Sequence, residues 1–246
     1  MISVSVVSHN HGDMVAGVVN QLLAFPEVSQ VIVTLNVPEP WLMPENVRVQ
    51  VIHNAAPKGF GANHNEACRF AAEGHYFCVL NPDVGLPENP FPALLRCFEQ
   101  SGASVVAPAI INPAGGQEDS ARYFPTIFSL FKKFLKLNDG RYSYTLGQPA
   151  FDVDWVAGMF MLFKPRAFAD LAGFDEGYFL YYEDVDLCFR ARKAGKRVVL
   201  CPESVAIHDA RRTSHKNIRY MYWHLSSMAR FLLMSSVGAR SGSRQV

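Results

Sequence analysis

The stretch Ile2-Ser-Val-Ser-Val-Val-Ser8, the turn His9-Asn-His-Gly-Asp13, and the spacing of Val15, Val18, Val19, Leu22 and Leu23 behind them decide the fold. A β-rich run bounded by turn residues reads as a strand, and apolar residues three and four apart read as one face of a helix. Working outward, Val31–Leu35 and Val47–Ile52 read as a second and third strand, Ala62–Ala72 as a helix and His75–Leu80 as a fourth strand. Apolar strands alternating with helices imply an α/β fold with a mostly parallel central sheet and helices on both faces. Ligands of such sheets bind beyond the carboxyl ends of the strands.

Those strand ends hold the residues of interest. The first ends in Ser8-His-Asn10-His11, where two histidines suggest a metal but no third ligand lies nearby, so the turn reading is the stronger. The second ends in Thr34-Leu-Asn36. The loop Asn54–Glu66 contains Lys58, Gly59, Phe60, Gly61 and Asn65. Its glycines allow close backbone approach to a ligand, and it feeds a helix N-terminus suited to an anion. It has neither Rossmann nor Walker spacing, so a plain turn before a helix is an equal reading. The fourth strand delivers Leu80-Asn81-Pro-Asp83, either an ordinary turn or a carboxylate placed to hold a divalent cation.

Composition limits the function. The chain of 246 residues is 49% hydrophobic and 18% charged, which is globular and not disordered. From His208 onward, seven Lys/Arg face one acid, whereas the preceding 207 residues carry 16 bases and 21 acids. The body is therefore no nucleic-acid binder, while the tail suits anionic lipid or phosphate. Five cysteines without a Cys-x-x-Cys pair read as free thiols in a reducing compartment. The chain opens on a strand pattern without signal-peptide architecture, and no apolar run reaches the roughly 18 residues of a spanning helix, so a cytoplasmic location is expected.

Phe174-Asp-Glu-Gly-Tyr-Phe-Leu-Tyr-Tyr-Glu-Asp-Val-Asp186 sets five acids among aromatics and runs into a helical pattern ending at Gly195. If the helix opens near Asp184, its dipole favours an ionised carboxylate there, as a general base requires. The competing reading is an acidic first turn with a capping role.

Together these segments resemble a family 2 glycosyltransferase with a GT-A (nucleotide-diphospho-sugar transferase) fold, of the rhamnosyltransferase-like branch. Val4-Ser-Val-Val-Ser-His-Asn10 resembles the family's first strand and nucleotide-binding turn, Lys58-Gly-Phe-Gly-Ala-Asn-His-Asn65 its donor loop, and Asn81-Pro-Asp83 its Asp-x-Asp metal motif. Trp155-Val-Ala-Gly-Met-Phe-Met161 and Phe174–Asp186 resemble its acceptor region and Glu-Asp motif. Asn81 stands in place of the first Asp of the metal motif, and Leu35 where relatives carry an Asp beside the base or ribose.

The resemblance implies an inverting, metal-dependent enzyme of cell-surface polysaccharide synthesis. Asp184 would be the base and Glu183 would help position the acceptor. Ser8, Asn10, Asn36, Lys58, Gly59, Phe60, Asn65, Asn81 and Gly158 would line the donor site, and Asp154 and Trp155 the acceptor pocket. Asp83 and His208 would hold Mg²⁺ or Mn²⁺ on the diphosphate. The implied partners are a dTDP- or UDP-sugar and a saccharide or lipid-linked acceptor. A non-catalytic nucleotide-sugar-binding module is the rival reading; a dead copy has no physical need to keep Asp83, Glu183, Asp184 and His208 together.

The match runs from about residue 3 to about 209, so the chain divides into residues 1–209 and a basic helix with a flexible tail over 210–246. Within the first part, 1–110 would be the donor half and 111–209 the acceptor half. Residues 124–137 place Ile127, Phe128, Phe131, Phe134 and Leu135 on one helical face with Lys132, Lys133 and Lys136 largely elsewhere. Peripheral membrane contact and core packing are equal readings of that pattern. Tyr220–Met234 is a second apolar helix, in which Met221, Leu225, Met228 and Leu232 recur at seam-like spacing. Homodimer contact, core packing and membrane docking all remain open for it.

Overall fold

A computed structural model describes residues 1–41, 43–126, 128–129, 135, 137, 140–208 and 218–241. Most of the basic amphipathic pattern over 124–137, including Ile127, Phe131 and Phe134, lies outside the described residues, as does the end of the tail.

Strand β1 (Ile2–Ser8) is the centre of the sheet's first half, pairing in parallel with β2 (Val28–Leu35) and β4 (Tyr76–Leu80); β2 pairs in parallel with β3 (Val49–His53). Beyond β4 the direction changes. Strand β10 (Phe160–Phe163) lies antiparallel between β4 and β6 (Val105–Ile111). Strand β11 (Val198–His208) continues in parallel from β6, and β5 (Val84–Gly85) closes the edge antiparallel to it. Among the described residues the order is β3-β2-β1-β4-β10-β6-β11-β5, a mixed and mostly parallel sheet. A short ribbon of β7 (Ala121–Arg122) and β9 (Trp155–Val156) stands apart, and β8 (Phe151–Asp152) pairs with β11.

The alternation in β1 has a physical meaning. Ile2, Val4 and Val6 are fully buried in the core with Val15, Val18, Val19 and Leu22 of helix α1 (Asp13–Ala24) and with Phe91, Leu94 and Phe98 of helix α3 (Phe91–Ser101). Ser3 and Ser5 are equally buried on the opposite face, where their hydroxyls must find partners. Ser5 Oγ bonds His64 Nδ1 (2.8 Å) of helix α2 (Phe60–Cys68), and Ser3 Oγ donates to Gln30 Oε1 (2.7 Å). Helices therefore cover both faces, although one face of β1 is polar.

Helix α2 begins at Phe60, two residues earlier than the apolar spacing predicts, and ends at Cys68. Its start is set by a distant partner: Phe60 N–H donates to Phe179 O (2.9 Å), satisfying one of the orphan donors of the first turn. Strand β11 runs unbroken from Val198 to His208, with an irregularity of register between Cys201 and Val205. All five cysteines are free thiols, four of them buried. Helix α4 (Ala167–Asp170) is a single turn, and α5 (Glu183–Lys193) and α6 (Ile218–Ser241) complete the described helices.

Candidate active site

The carboxyl end of β4 and the start of antiparallel β10 meet at one end of the sheet, and the site grows from that junction. Asn81 N–H donates to Met159 O (2.9 Å), and the neighbouring Gly158 N–H donates to Asp184 Oδ2 (2.8 Å). Gly158–Met159 is thus bonded to the Asn81–Asp83 loop on one side and to the first turn of α5 on the other. Asp184 and the backbone of Asn81, two residues before Asp83, thus meet at one two-residue link.

Sheet register supplies the next element. Antiparallel pairing sets His208 opposite Val84, and His208 Nε2 lies 3.3 Å from Asp83 Oδ2. Burial alone would raise the Asp83 pKa; the hydrogen bond and charge of His208 outweigh it and hold the carboxyl below its ordinary value. His11, from the turn after β1, adds a smaller contribution in the same direction. Asp83 Oδ1 is buried and has no hydrogen-bond partner among the described residues. A carboxylate with one unspent oxygen, beside an imidazole, is a donor set that fits a divalent cation. Among the described residues no third His, Cys, Asp or Glu joins them, so a bound cation would complete its shell from water or substrate oxygens.

Asp184 sits in the first turn of α5, its Oδ1 accepting from Val185 N–H (2.8 Å) while Oδ2 accepts from Gly158. Burial raises its pKa, and these backbone donors oppose the rise without cancelling it. Glu183 is only 5% exposed, its Oε2 has no hydrogen-bond partner among the described residues, and burial together with the Asp184 charge pushes its pKa well up. A group whose folded pKa is raised stabilises the fold below its unfolded pKa and loses that contribution as pH climbs through the folded value. Wild-type Tm minus that of Glu183→Gln should therefore shrink as the pH rises above the ordinary Glu pKa of about 4.3. Parallel Tm profiles across that range would show that Glu183 is not held neutral.

A family model described as "Glycosyltransferase like family 2" matches residues 2–222. The chain belongs to glycosyltransferase family 2. Rhamnosyltransferase WbbL of Escherichia coli (strain K12) is 30% identical over 250 residues, covering 94% of this chain and 92% of that one. An N-acetylglucosaminyl-diphospho-decaprenol L-rhamnosyltransferase of Mycobacterium tuberculosis (strain ATCC 25618 / H37Rv) is 33% identical over 139 residues, 53% of this chain and 45% of that protein. Among solved structures, GalNAc-T7 with UDP, GalNAc and Mn²⁺ superposes with a TM-score of 0.67 at 15% identity, covering 86% of this chain and 43% of that one. The likeness is one of fold, and that fold is GT-A.

Within this glycosyltransferase several residues assigned to the donor are committed to the protein itself. Asn36 is 5% exposed; its Oδ1 accepts from Lys58 N–H and Asn54 Nδ2 (both 2.8 Å), and its Nδ2 donates to Lys58 O (3.0 Å). Asn63 Oδ1 accepts from the same Asn54 Nδ2 (2.7 Å), and its own Nδ2 donates to Gly59 O (2.9 Å). These side-chain amides fix the shape of the Lys58–Gly59 loop. Asn65 holds the backbone of Phe174 through both N–H and C=O and reaches Glu176 Oε1 (3.0 Å), so its amide is occupied as well. Lys58 Nζ pairs with Glu66.

The glycines also allow close packing within the protein. A Cβ on Gly59 would lie 2.7 Å from Phe179 O, and one on Gly61 2.6 Å from Phe174 Cβ. At Gly158 a Cβ would sit 3.2 Å from the Phe60 ring, with Asp184 Cβ at 3.6 Å. Phe60 is thereby a wall beside Asp184. Asp154 accepts from Phe124 N–H (2.9 Å) and Tyr142 OH (3.4 Å), and Trp155 Nε1 donates to Tyr123 O (3.1 Å). Both brace the 121–124 segment. Ser8 is buried, accepts from His11 N–H (3.3 Å) and shapes the turn after β1, in which Asn10 is exposed at φ 62°.

Three features escape sequence reading. Glu39 accepts from the N–H groups of Asn10 (3.0 Å) and Gly12 (3.3 Å), closing the turn after β1. Tyr181 and Tyr182 both have left-handed backbones (φ 70° and 68°), and Tyr182 caps α5 directly ahead of Glu183 and Asp184. Bulky residues there cost of order 1–3 kcal/mol each and persist only when surroundings over-determine them. Helix α6 does so. Trp223 stacks on Phe179 (4.6 Å), His224 meets Tyr181 and Tyr182 (5.3 and 5.5 Å), Ser227 Oγ donates to Leu180 O (2.9 Å), and Arg230 pairs with Asp175 (2.7 Å). No sequence signal reveals such a backbone in tyrosine, because other residues elsewhere in the chain impose it.

Proposed function

We propose that this chain is an inverting glycosyltransferase that moves a sugar, rhamnose by its likeness to the two rhamnosyltransferases above, from a dTDP- or UDP-linked donor to a hydroxyl of a saccharide or lipid-linked acceptor in cell-surface polysaccharide synthesis. The observation that carries the reading is the Gly158–Met159 link, bonded to Asp184 on one side and to the Asn81–Asp83 loop on the other. Asp184 accepts the proton of the acceptor hydroxyl as its oxygen bonds to the anomeric carbon and the nucleoside diphosphate departs, inverting that carbon. Both Asp184 oxygens are aimed by backbone donors, so the base meets the hydroxyl without reorganising. Its raised pKa brings its basicity nearer the working pH. Asp83 and His208 would hold Mg²⁺ or Mn²⁺, which supplies charge neutralisation at the diphosphate. The Mn²⁺ in the GalNAc-T7 structure supports this cofactor class. The Phe60 wall limits water beside Asp184, which favours transfer over hydrolysis.

A thermal-shift screen of nucleotide sugars with and without Mn²⁺ tests the donor class. A dTDP- or UDP-sugar should raise Tm by a few degrees, about 1–3 kcal/mol at saturating ligand, and by more when Mn²⁺ is present. A response to other ligand classes only would defeat the donor assignment.

A further inference from the structure

Helix α6 is apolar on two faces. Its inner face, with Trp223, Ser227 and Phe231, covers the strained 178–182 segment. On the outer side, Ile218, Met221, Tyr222, Leu225, Ala229 and Leu233 fall within about one third of the circumference at about 100° per residue. That stripe is open: Ile218 is 81% exposed, Tyr222 66%, Leu225 51% and Leu233 68%. A helix hydrophobic all round belongs in a core or against another apolar phase, and a continuous exposed stripe marks a contact surface.

Charge identifies what the stripe meets. Residues 210–246 contain seven Lys/Arg and no Asp or Glu. One of the seven, Arg230, is committed to Asp175 on the inner side, and Arg219 lies over the Trp223 ring (4.7 Å) at the border of the stripe. A second copy docking stripe to stripe would bring two such cationic segments together, with no acid on either to offset them. An anionic lipid surface is complementary to both the apolar stripe and the net positive charge of this segment of sequence. No helix among the described residues is long and apolar enough to cross a membrane, so α6 would lie along the surface.

We propose that the outer face of α6 docks in-plane on an anionic bilayer, with Ile218, Met221, Tyr222, Leu225 and Leu233 entering the interface. Because the inner face of the same helix grips Phe179–Tyr182, docking holds the segment leading into Asp184 at a fixed height above the lipid. That consequence serves a lipid-linked acceptor and rests on the glycosyl-transfer reading; the docking itself does not.

The test is flotation of the full chain with phosphatidylcholine vesicles in which about a third of the lipid is phosphatidylglycerol. The wild type should float with these vesicles, and pure phosphatidylcholine or high salt should release most of it. Leu225→Asp/Leu233→Asp should lower the bound fraction about tenfold without moving Tm, since both side chains face outward. Unchanged flotation of the double variant overturns the proposal. So does absence of wild-type flotation, including the case where sedimentation velocity reveals a dimer that the double variant dissolves. A chain that floats as described yet turns over no nucleotide sugar keeps the docking surface and loses the glycosyl-transfer reading.

Discussion

Asp184→Asn is expected to lower the turnover of sugar transfer by about 10²–10⁴-fold while leaving donor affinity within about twofold. The asymmetry follows from where the carboxylate points its bonding capacity. Its oxygens accept from Gly158 and Val185 in the resting protein, and each keeps a second lone pair for the acceptor proton. Asparagine preserves the outline but offers one acceptor oxygen in place of two, so one backbone N–H faces an amide NH₂. The local cost is about 1–3 kcal/mol, visible as a lower Tm. It is smaller than the loss of a base, since a factor of 10³ in rate corresponds to about 4 kcal/mol. Transfer rate, Tm and donor binding by calorimetry, all on one preparation, separate these effects. Near-normal turnover with a lowered Tm would reduce Asp184 to a helix-start residue. The acid limb of the wild-type rate profile should lie above the ordinary Asp value, because burial raises the Asp184 pKa and protonation removes the base.

What the sequence made legible, and what it hid, divide along a physical line. Local patterns carried the strands β1, β2 and β4 and the buried face of α1, because apolar spacing is a property of neighbouring residues. Motif resemblance singled out Asp83, Asp184 and His208, and the β5–β11 register brings the first and last of these together. The amide residues were ambiguous. Asn36 and Asn65 carry donor and acceptor groups that suit a ligand as well as they suit a backbone, and only tertiary partners decide between these uses. Gly59 and Gly61 share that ambiguity: close approach is required, but by Phe179 and Phe174. The role of α6 was hidden most deeply. Its pattern left core, dimer and membrane open, and the structure gives the inner face to the core while leaving the outer one exposed.

Asp83→Ala should weaken binding of the nucleotide-sugar donor by about 10–100-fold in the presence of Mn²⁺, and by about twofold or less in excess chelator. The substitution removes both the oxygen paired with His208 and the buried oxygen that has no partner among the described residues. The latter is the stronger indication, since a buried carboxylate oxygen without a donor is costly unless something else satisfies it. Calorimetry with and without metal reads the effect directly, and equal weakening in both conditions would mean that Asp83 touches donor or fold without an ion. Stability provides an independent check. His208 holds the Asp83 pKa below its ordinary value, so in the wild type this pair stabilises the fold above the unfolded Asp pKa and stops doing so as pH falls through the folded one. Asp83→Ala lacks that contribution at neutral pH whether or not metal is present, whereas His208→Ala leaves a carboxylate still able to hold a cation. If the two residues share one ion, the double variant should bind donor about as weakly as Asp83→Ala alone, because removing the second ligand of an ion already lost costs little more. Additive losses would instead assign the two side chains to separate contacts and leave the cation without a common site.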